Sequence, residues 1–206
     1  MKEYDWKGRL KFKGEYLNGK KNGKGKEYNI KDNLIFEGEF KNDLRWDGKG
    51  YDNQNNIVYE LKNRKGYIIE YDFYGKLDFE GEYLNGLKNG KGKEYYWLDK
   101  LEFEGDYLNN KRNGEGKEYD YNGNLKFEGE YLYGHKLRGK YYIKGKLEYE
   151  GEYLYNKKWN GKGYDENGNI IYELINGNEE VKEYNNDGTL IYDDEYLNGR
   201  KNGKVK

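Results

Sequence analysis

The side chains from which a nucleophile and its base are most often built are nearly absent from this sequence of 206 residues. Cysteine is absent and His135 is the single histidine, so no Cys–His or Ser–His pair can be proposed except around this one residue. His135 follows Tyr133 and Gly134, at a position where other segments carry lysine in a turn. We therefore expect His135 to lie in a solvated loop without a catalytic role.

Carboxylates two residues apart could flank a substrate as an acid and a base, as in glycosidase-like chemistry. The pairs are Glu37 with Glu39 and Glu128 with Glu130. Their alternation puts them on a solvent face beside lysines such as Lys24, Lys26, Lys91 and Lys93. Cross-strand ion pairs there contribute only about 0.2–1 kcal/mol each. We predict that these charges serve solubility and strand register, and that the protein is not an enzyme.

Two segments resemble the start of a calcium-binding loop, at residues 120–124 and 165–169. An EF-hand needs a bidentate glutamate at the twelfth loop position, between helices. Here Glu128 and Glu173 fall at the ninth position, inside predicted strands. No Gly-x-x-x-x-Gly-Lys-Ser/Thr loop is present either. The segments are typical of hairpin turns, and we expect no metal and no other cofactor.

Lysines stand close to aromatic residues near the start of the chain, and we take Lys20, Lys21 and Lys24 as candidate lipid-binding residues. Such a cluster could hold phosphoinositide headgroups or single-stranded nucleic acid by charge and stacking. Every lysine run is interleaved with glutamate, and the net charge is −1 from 38 basic and 39 acidic residues. An ordinary solvated face is the simpler interpretation. Acidic phospholipid is the alternative partner, and nucleic acid is not expected.

The elements that must position these side chains come from a short repeat. Its opening segment, residues 12–19, is followed by a return segment, residues 20–28. The units are 20 to 24 residues long, which suits one β-hairpin each. The aromatic residues that open the units are Phe12, Phe36, Tyr59, Phe79, Phe103, Phe127, Tyr149, Tyr172 and Tyr192.

Inside a unit the residues alternate with period two, which predicts a half-buried strand. Phe103, Gly105 and Tyr107 face one way, and the return segment carries glycine where the first strand carries rings. We expect each ring to lie over the glycine backbone of the neighbouring strand. Asn-Gly and Asp-Gly dipeptides predict tight turns between the strands.

A block of five units is duplicated with an offset of 113 residues. In both copies the unit opened by Tyr59 or Tyr172 lacks the Gly-Glu-Tyr and Gly-Lys-Gly segments. These variant units could tolerate drift or bend the array, or they could mark two equivalent docking notches. The sequence leaves both interpretations open.

No linker interrupts the series, so we predict one repeat array over residues 1–206. It begins with a half repeat at residues 1–11 and ends with a partial unit at residues 192–206. Each end would expose a strand edge, and these edges could pair between molecules or simply fray. The absence of cysteine, of a signal peptide and of a run of about 18 apolar residues favours a cytoplasmic protein, at most peripheral to a membrane.

The run from Phe79 to Gly92 resembles the MORN (membrane occupation and recognition nexus) repeat, with its aromatic-x-Gly-x-aromatic segment, Gly turn and Gly-x-Gly segment. The second aromatic is Tyr or Phe here, where the family often has Trp, and the variable unit length resembles the looser bacterial MORN-like variant. The resemblance implies an all-β fold, an elongated single-layer twisted antiparallel sheet of hairpins that serves as a scaffold or interaction module. On this basis we expect a protein partner, a helix or an extended segment, on the aromatic face. The candidate partner-binding residues are Tyr16, Phe40, Tyr83, Tyr107, Tyr131 and Tyr153.

Overall fold

The computed structural model describes residues 1–72, 75–184, 189–198 and 200–201. This part of the chain consists of β-strands and turns, with no helix, as predicted. The strands are β1 (Lys2–Tyr4), β2 (Leu10–Leu17), β3 (Lys20–Tyr28), β4 (Leu34–Lys41), β5 (Leu44–Tyr51), β6 (Ile57–Leu61), β7 (Lys65–Tyr71), β8 (Leu77–Leu84), β9 (Leu87–Tyr96), β10 (Lys100–Leu108), β11 (Lys111–Tyr119), β12 (Leu125–Leu132), β13 (His135–Ile143), β14 (Lys146–Leu154), β15 (Lys157–Tyr164), β16 (Ile170–Leu174), β17 (Glu179–Tyr184), β18 (Leu190–Leu197) and β19 (Arg200–Lys201).

Tight turns join the two strands of each unit, as the Asn-Gly dipeptides predict. Asn18 and Gly19, between β2 and β3, have φ of 51° and 78°. Asn85 and Gly86, between β8 and β9, have φ of 54° and 78°. Two successive positive φ values are the mark of a type I′ turn, whose twist matches that of the strands it joins. Asparagine and glycine adopt these angles more readily than other residues.

Several hairpins also contain an extra residue in one strand, a β-bulge that the sequence pattern did not predict. Between β12 and β13, Tyr131 opposes Lys136 and Glu130 opposes Arg138, so Leu137 has no partner. Similar register shifts separate the end of one unit from the start of the next, where Lys126 is the extra residue between β11 and β12. Bulges bend the strand and redirect side chains. We call the extra residue at the start of a unit its entry-bulge residue.

The aromatic residues that open the units lie in the core. Phe12, Phe79, Phe103 and Phe127 are completely buried. A Cβ built on Gly92, on the return strand, would lie 2.7 Å from the ring of Phe79. The predicted packing of a ring over a glycine backbone is therefore confirmed, and it gives a thin sheet a core without a second sheet.

The hairpin-repeat fold is confirmed, and its antiparallel strands are divided among more than one sheet. The strands form a six-stranded sheet from β1 to β6, a ten-stranded sheet from β7 to β16 and a three-stranded sheet from β17 to β19, each in chain order. Both interruptions follow the variant units, after β6 and after β16. Those strands end at Leu61 and Leu174 because the variant units lack the residues that elsewhere extend the strand to its turn. Only the isolated bridges Lys62 to Lys65 and Ile175 to Asn178 continue the pairing.

By packing, the chain divides into two large compact parts. We call them unit 1 and unit 2, whereas a single repeat is always named by the aromatic residue that opens it. Unit 1 comprises Met1–Leu101 with Tyr107–Asn110, and unit 2 comprises Glu102–Asp106 with Lys111–Lys206. Unit 1 contains the first interruption, where Leu61 and Ile68 are 3% and 1% exposed. Unit 2 contains the second, where Leu174 is 1% exposed. Because the block of repeats is duplicated, unit 1 and unit 2 each contain one interruption of the sheet. Buried aliphatic side chains lie at both interruptions.

Candidate functional site

Most of the rings that the sequence suggested for partner binding lie in the core. Phe40, Tyr107, Tyr131 and Tyr153 are at most 8% exposed. Each packs edge to face against the ring that opens a preceding unit. For example, the ring centroids of Phe103 and Tyr131 are 5.3 Å apart at 88°. These four side chains have almost no surface to offer a partner, because a single sheet must use them to bury its opening rings.

The other two candidate rings, Tyr16 and Tyr83, are half-buried and anchored by their hydroxyl groups. The Tyr16 hydroxyl donates a hydrogen bond of 3.0 Å to Glu3, and the Tyr83 hydroxyl donates one of 3.3 Å to Glu70. Burial and the Glu3 carboxylate raise the pKa of Tyr16 to about 12. A partner-binding role for all six rings stays a prediction.

A row of six half-buried cations lies over the rings that open the units at Phe12, Phe36, Phe79, Phe103, Phe127 and Tyr149. In unit 1 the ammonium of Lys21 is 4.6 Å from the centroid of Phe12, and that of Lys88 is 3.9 Å from the centroid of Phe79. Both contact a carboxylate as well, since Lys21 lies 2.8 Å from Glu27. The other members of this row are Arg45, Arg112, Lys136 and Lys158. Sequence reasoning placed such lysines in solvent and missed that the ring below each of them attracts a cation.

Of the three candidate lipid-binding lysines, only Lys20 and Lys24 are exposed. Lys21 is 18% exposed at its side chain and is committed to Glu27 and the Phe12 ring. Their role toward lipid stays a prediction.

The opposite face carries paired charges, as predicted. Lys26 and Glu37 are cross-strand partners with an N–O distance of 3.0 Å, and Lys24 opposes Glu39. In unit 2, Glu128 opposes Lys117 and Lys140, and Glu130 pairs with Arg138. These carboxylates stand in ladders of opposite charge, which stabilise register.

His135 is exposed at the first residue of β13, as expected. Its Nδ1 is 3.0 Å from the side-chain amide of Asn156, and its ring contacts Tyr155 edge to face. The surroundings are an amide and a phenol, neither of which would activate a nucleophile.

The segments that resemble calcium loops are turns held by their first aspartate. The Asp120 carboxylate accepts hydrogen bonds of 2.9 Å from the backbone N–H groups of Asn122 and Asn124. Asp165 does the same for Asn167 and Asn169. These bonds lower the pKa of Asp165, the side-chain bond from Asn169 most of all. Among the described residues, no three metal-ligating side chains converge.

The candidate site is an open cleft of about 780 Å³ in unit 1, which we call the unit 1 cleft. It lies at the first interruption, where strand ends of the six-stranded sheet and of β7 line one space. Its lining includes Tyr4, Trp6, Arg45, Tyr59, Tyr71 and Asp78.

Arg45 ties the two sheets of unit 1 together at the base of this cleft. Its Nε donates a hydrogen bond of 2.7 Å to Glu27, and its Nη1 donates one of 3.0 Å to the Tyr59 hydroxyl. The same Nη1 is 3.5 Å from Glu70 of β7. Desolvation works against the charged form, but Tyr59, Glu27 and Glu70 outweigh it and raise the pKa of Arg45.

Exposed rings form the wall of the unit 1 cleft. Trp6 is 86% exposed, Tyr4 52% and Tyr71 40%. Sequence reasoning did not single out these residues. The available signal was a tyrosine at the end of several return strands, directly before an aspartate or asparagine that holds a turn, as in Tyr4-Asp5 and Tyr71-Asp72.

Unit 2 has a smaller cavity of about 220 Å³ at the duplicated place. Ile143 and Tyr164 line it, as Ile30 and Tyr51, 113 residues earlier, line the unit 1 cleft. It differs in charge, because Glu148 stands there in place of Ile35.

Comparison with known families gives one match. The family model of the MORN repeat matches residues 12–29, 36–46, 79–96 and 103–125. No curated protein matches the chain. In the part of the chain that the structure describes, no helix has the length and apolar character needed to cross a membrane.

Proposed function

This chain is a MORN repeat protein, and on that premise we propose that it is a non-catalytic scaffold that binds a segment of a partner protein in the unit 1 cleft. The main support for this proposal is that three exposed rings, Tyr4, Trp6 and Tyr71, line one concave space. Tyrosine and tryptophan are the residues that most often anchor protein interfaces. The cleft volume also lies in the range of about 300–1,000 Å³ that is typical of binding sites.

This proposal moves the binding surface from the rings that the sequence suggested to a different set. Tyr107, Tyr131 and Tyr153 are buried by the sheet itself, whereas the rings of the cleft are open at the strand ends. The interruption after the variant unit supports this choice, because it brings β7 to the wall of the cleft. The variant unit opened by Tyr59 thus corresponds to a docking notch.

The non-catalytic part of the proposal is supported by how the polar groups are used. Lys21, Arg45 and Lys158 are engaged with carboxylates and rings, and the carboxylates of the opposite face stand in charge ladders. Catalysis needs unlike reactive groups converging on one point. The described residues show like groups repeated from unit to unit.

Attachment to acidic phospholipid is the alternative function. It has less support, because Lys21 is held over Phe12 and faces Glu27. Lys20 and Lys24 are then the exposed lysines of the cluster, and Lys24 stands opposite Glu39. Liposome co-sedimentation at low salt checks this directly. Retention on acidic vesicles that is lost in moderate salt would favour the membrane function over the scaffold function.

The experiment for the scaffold function is a pull-down from a lysate of the organism that makes this protein. It compares three baits. The parent chain and the cleft variant Trp6→Ala/Tyr71→Ala differ only in exposed rings, so both should fold. Tyr67→Ala is the matched control, because Tyr67 lies in the same strand as Tyr71, is 50% exposed and stands outside the cleft lining. We expect a partner retained by the parent and by the control but lost by the cleft variant. Equal retention by all three baits would exclude the cleft as the binding site.

A further inference from the structure

The entry-bulge residue is a carboxylate in several units, and the structure shows what satisfies it. In unit 2, Glu102 lies 3.0 Å from the guanidinium of Arg112. Glu148 lies 2.7 Å from the ammonium of Lys158. In both cases the cation stands ten residues later, over the ring that opens the unit. In these two units, the carboxylate directly before the opening ring pairs with a cation that lies over that ring.

Asp78 is the entry-bulge residue of the unit opened by Phe79. Glu70 opposes Phe79 and Tyr71 opposes Leu77, so Asp78 is the extra residue between them. The cation ten residues later is Lys88, but its ammonium pairs with Glu94 at 3.3 Å. Asp78 is exposed, lines the unit 1 cleft and has no ionic or hydrogen-bonding partner among the described residues.

Tyr71 lines the same cleft as Asp78, and its cross-strand partner Leu77 directly precedes Asp78 in the chain. The Tyr71 side chain is 40% exposed. Burial and the carboxylates of Asp52 and Asp99 raise the pKa of Tyr71, so the surroundings of this ring are negative. The face of an aromatic ring with negative charges around it attracts a cation. The interaction becomes stronger when the cation is desolvated.

The cations of the cleft are already neutralised. Arg9 lies 2.5 Å from Asp5, and Lys11 lies 3.1 Å from Glu3. Arg45 is bonded to Glu27. An anionic ligand would have to displace the carboxylates that already pair with these cations. A cationic ligand could pair with Asp78, which has no such partner among the described residues.

We infer that the partner segment in the unit 1 cleft presents an arginine or lysine side chain, which pairs with Asp78 and packs against the Tyr71 ring. The partner's cation would neutralise Asp78 as Arg112 neutralises Glu102 within this chain, but it would lie on the Tyr71 ring, because Lys88 already lies over Phe79. This inference rests on the proposed scaffold function, because it assumes a peptide segment in the cleft. It adds the chemistry of recognition, a basic side chain, to the position of the site.

The test is a selection of peptides from a displayed random library on the intact chain, repeated on Trp6→Ala/Tyr71→Ala. We expect peptides enriched in arginine or lysine that the cleft variant does not retain. Acidic or purely apolar peptides that depend on the cleft would overturn the inference and leave the scaffold function standing. Identical enrichment on both baits would overturn both, since no peptide would then need the cleft.

The selected peptide is then measured against Asp78→Asn, with Asp32→Asn as the matched control. Asp32 is exposed in a nearby turn, outside the cleft lining, and its φ of 59° suits asparagine. We expect Asp78→Asn to weaken binding about tenfold at low salt, and Asp32→Asn to leave it unchanged. Equal affinities for the two variants, with both melting like the parent, would overturn the inference.

Discussion

The carboxylate of Glu148 and the ammonium of Lys158 are 2.7 Å apart, with side chains only 8% and 14% exposed. The Tyr172 hydroxyl joins them, donating to Glu148 at 3.2 Å. Tyr172 opens the second variant unit, so this cluster lies beside the second interruption of the sheet. Arg45, Glu27 and Tyr59 stand at the first interruption in a related arrangement. Both interruptions therefore have a half-buried cation bonded to a carboxylate and to the tyrosine of the variant unit.

The first prediction concerns this pair. Glu148→Ala should lower the free energy of unfolding by about 3 kcal/mol, because it leaves the Lys158 ammonium without its carboxylate in a place with little water. Urea denaturation measures the change. Glu150→Ala is the control, since Glu150 is 48% exposed and 3.8 Å from Lys140, and it should cost less than about 1 kcal/mol. Equal losses would show that the burial of the pair has no energetic weight.

The second prediction concerns the Tyr153 hydroxyl, which is buried without a hydrogen-bond partner within the part of the chain described here. Tyr153→Phe should leave the free energy of unfolding unchanged or raise it by up to about 1 kcal/mol, because an unpaired hydroxyl gains nothing from burial. Phe40 already occupies the corresponding place in unit 1. Thermal denaturation checks this, and Tyr172→Phe, which removes a bonded hydroxyl, should lower stability instead. A clear loss with Tyr153→Phe would contradict the packing described above.

The third prediction concerns the contact between ring and glycine. A Cβ at Gly116 would lie 2.5 Å from the Phe103 ring, which is in the core. Gly116→Ala should therefore cost about 2–3 kcal/mol, the usual range for overpacking. At Gly145 a Cβ would meet no atom, and φ is 76°, so Gly145→Ala should cost only about 1 kcal/mol of backbone strain. The reverse order in urea denaturation would refute a steric role for the ring.

The fourth prediction concerns pH. Desolvation opposes the Glu27 carboxylate, but Arg45 and Lys21 outweigh it and hold the pKa of Glu27 below its usual value of 4.5. A lowered folded-state pKa adds stability that is present above the unfolded-state pKa and is lost as pH falls through the folded-state value. Unfolding free energies measured from about pH 7 to about pH 3 should thus fall less steeply in Glu27→Gln than in the parent.

The control for this pH series is Glu37→Gln. Its carboxylate is 45% exposed and pairs with Lys26 at 3.0 Å, so its removal should leave the slope close to that of the parent. Parallel slopes for all three proteins would mean that Glu27 titrates alike in the folded and unfolded chains.

Features that depend on neighbouring residues could be predicted from the order of the amino acids. The unit length, the strand alternation and the Asn-Gly turns are local, because a tight turn with two positive φ values fixes which residues face each other. That register places Gly92 beside the ring of Phe79, so even the contact between ring and glycine could be predicted. The charge ladder of Lys24 with Glu39 follows from the same pairing.

Which surfaces are open depends on how the strands pack in three dimensions, and the sequence pattern did not predict it. The burial of Tyr107 and Tyr131 depends on contacts between successive units, and nothing in a single unit shows how far the next ring covers them. The entry-bulge residue Asp78 and the row of half-buried cations follow from register shifts between strands, which the alternating pattern conceals. The unit 1 cleft exists because the strand opened by Tyr59 is too short to continue the sheet, and a missing segment determines a surface only once its neighbours have packed around it.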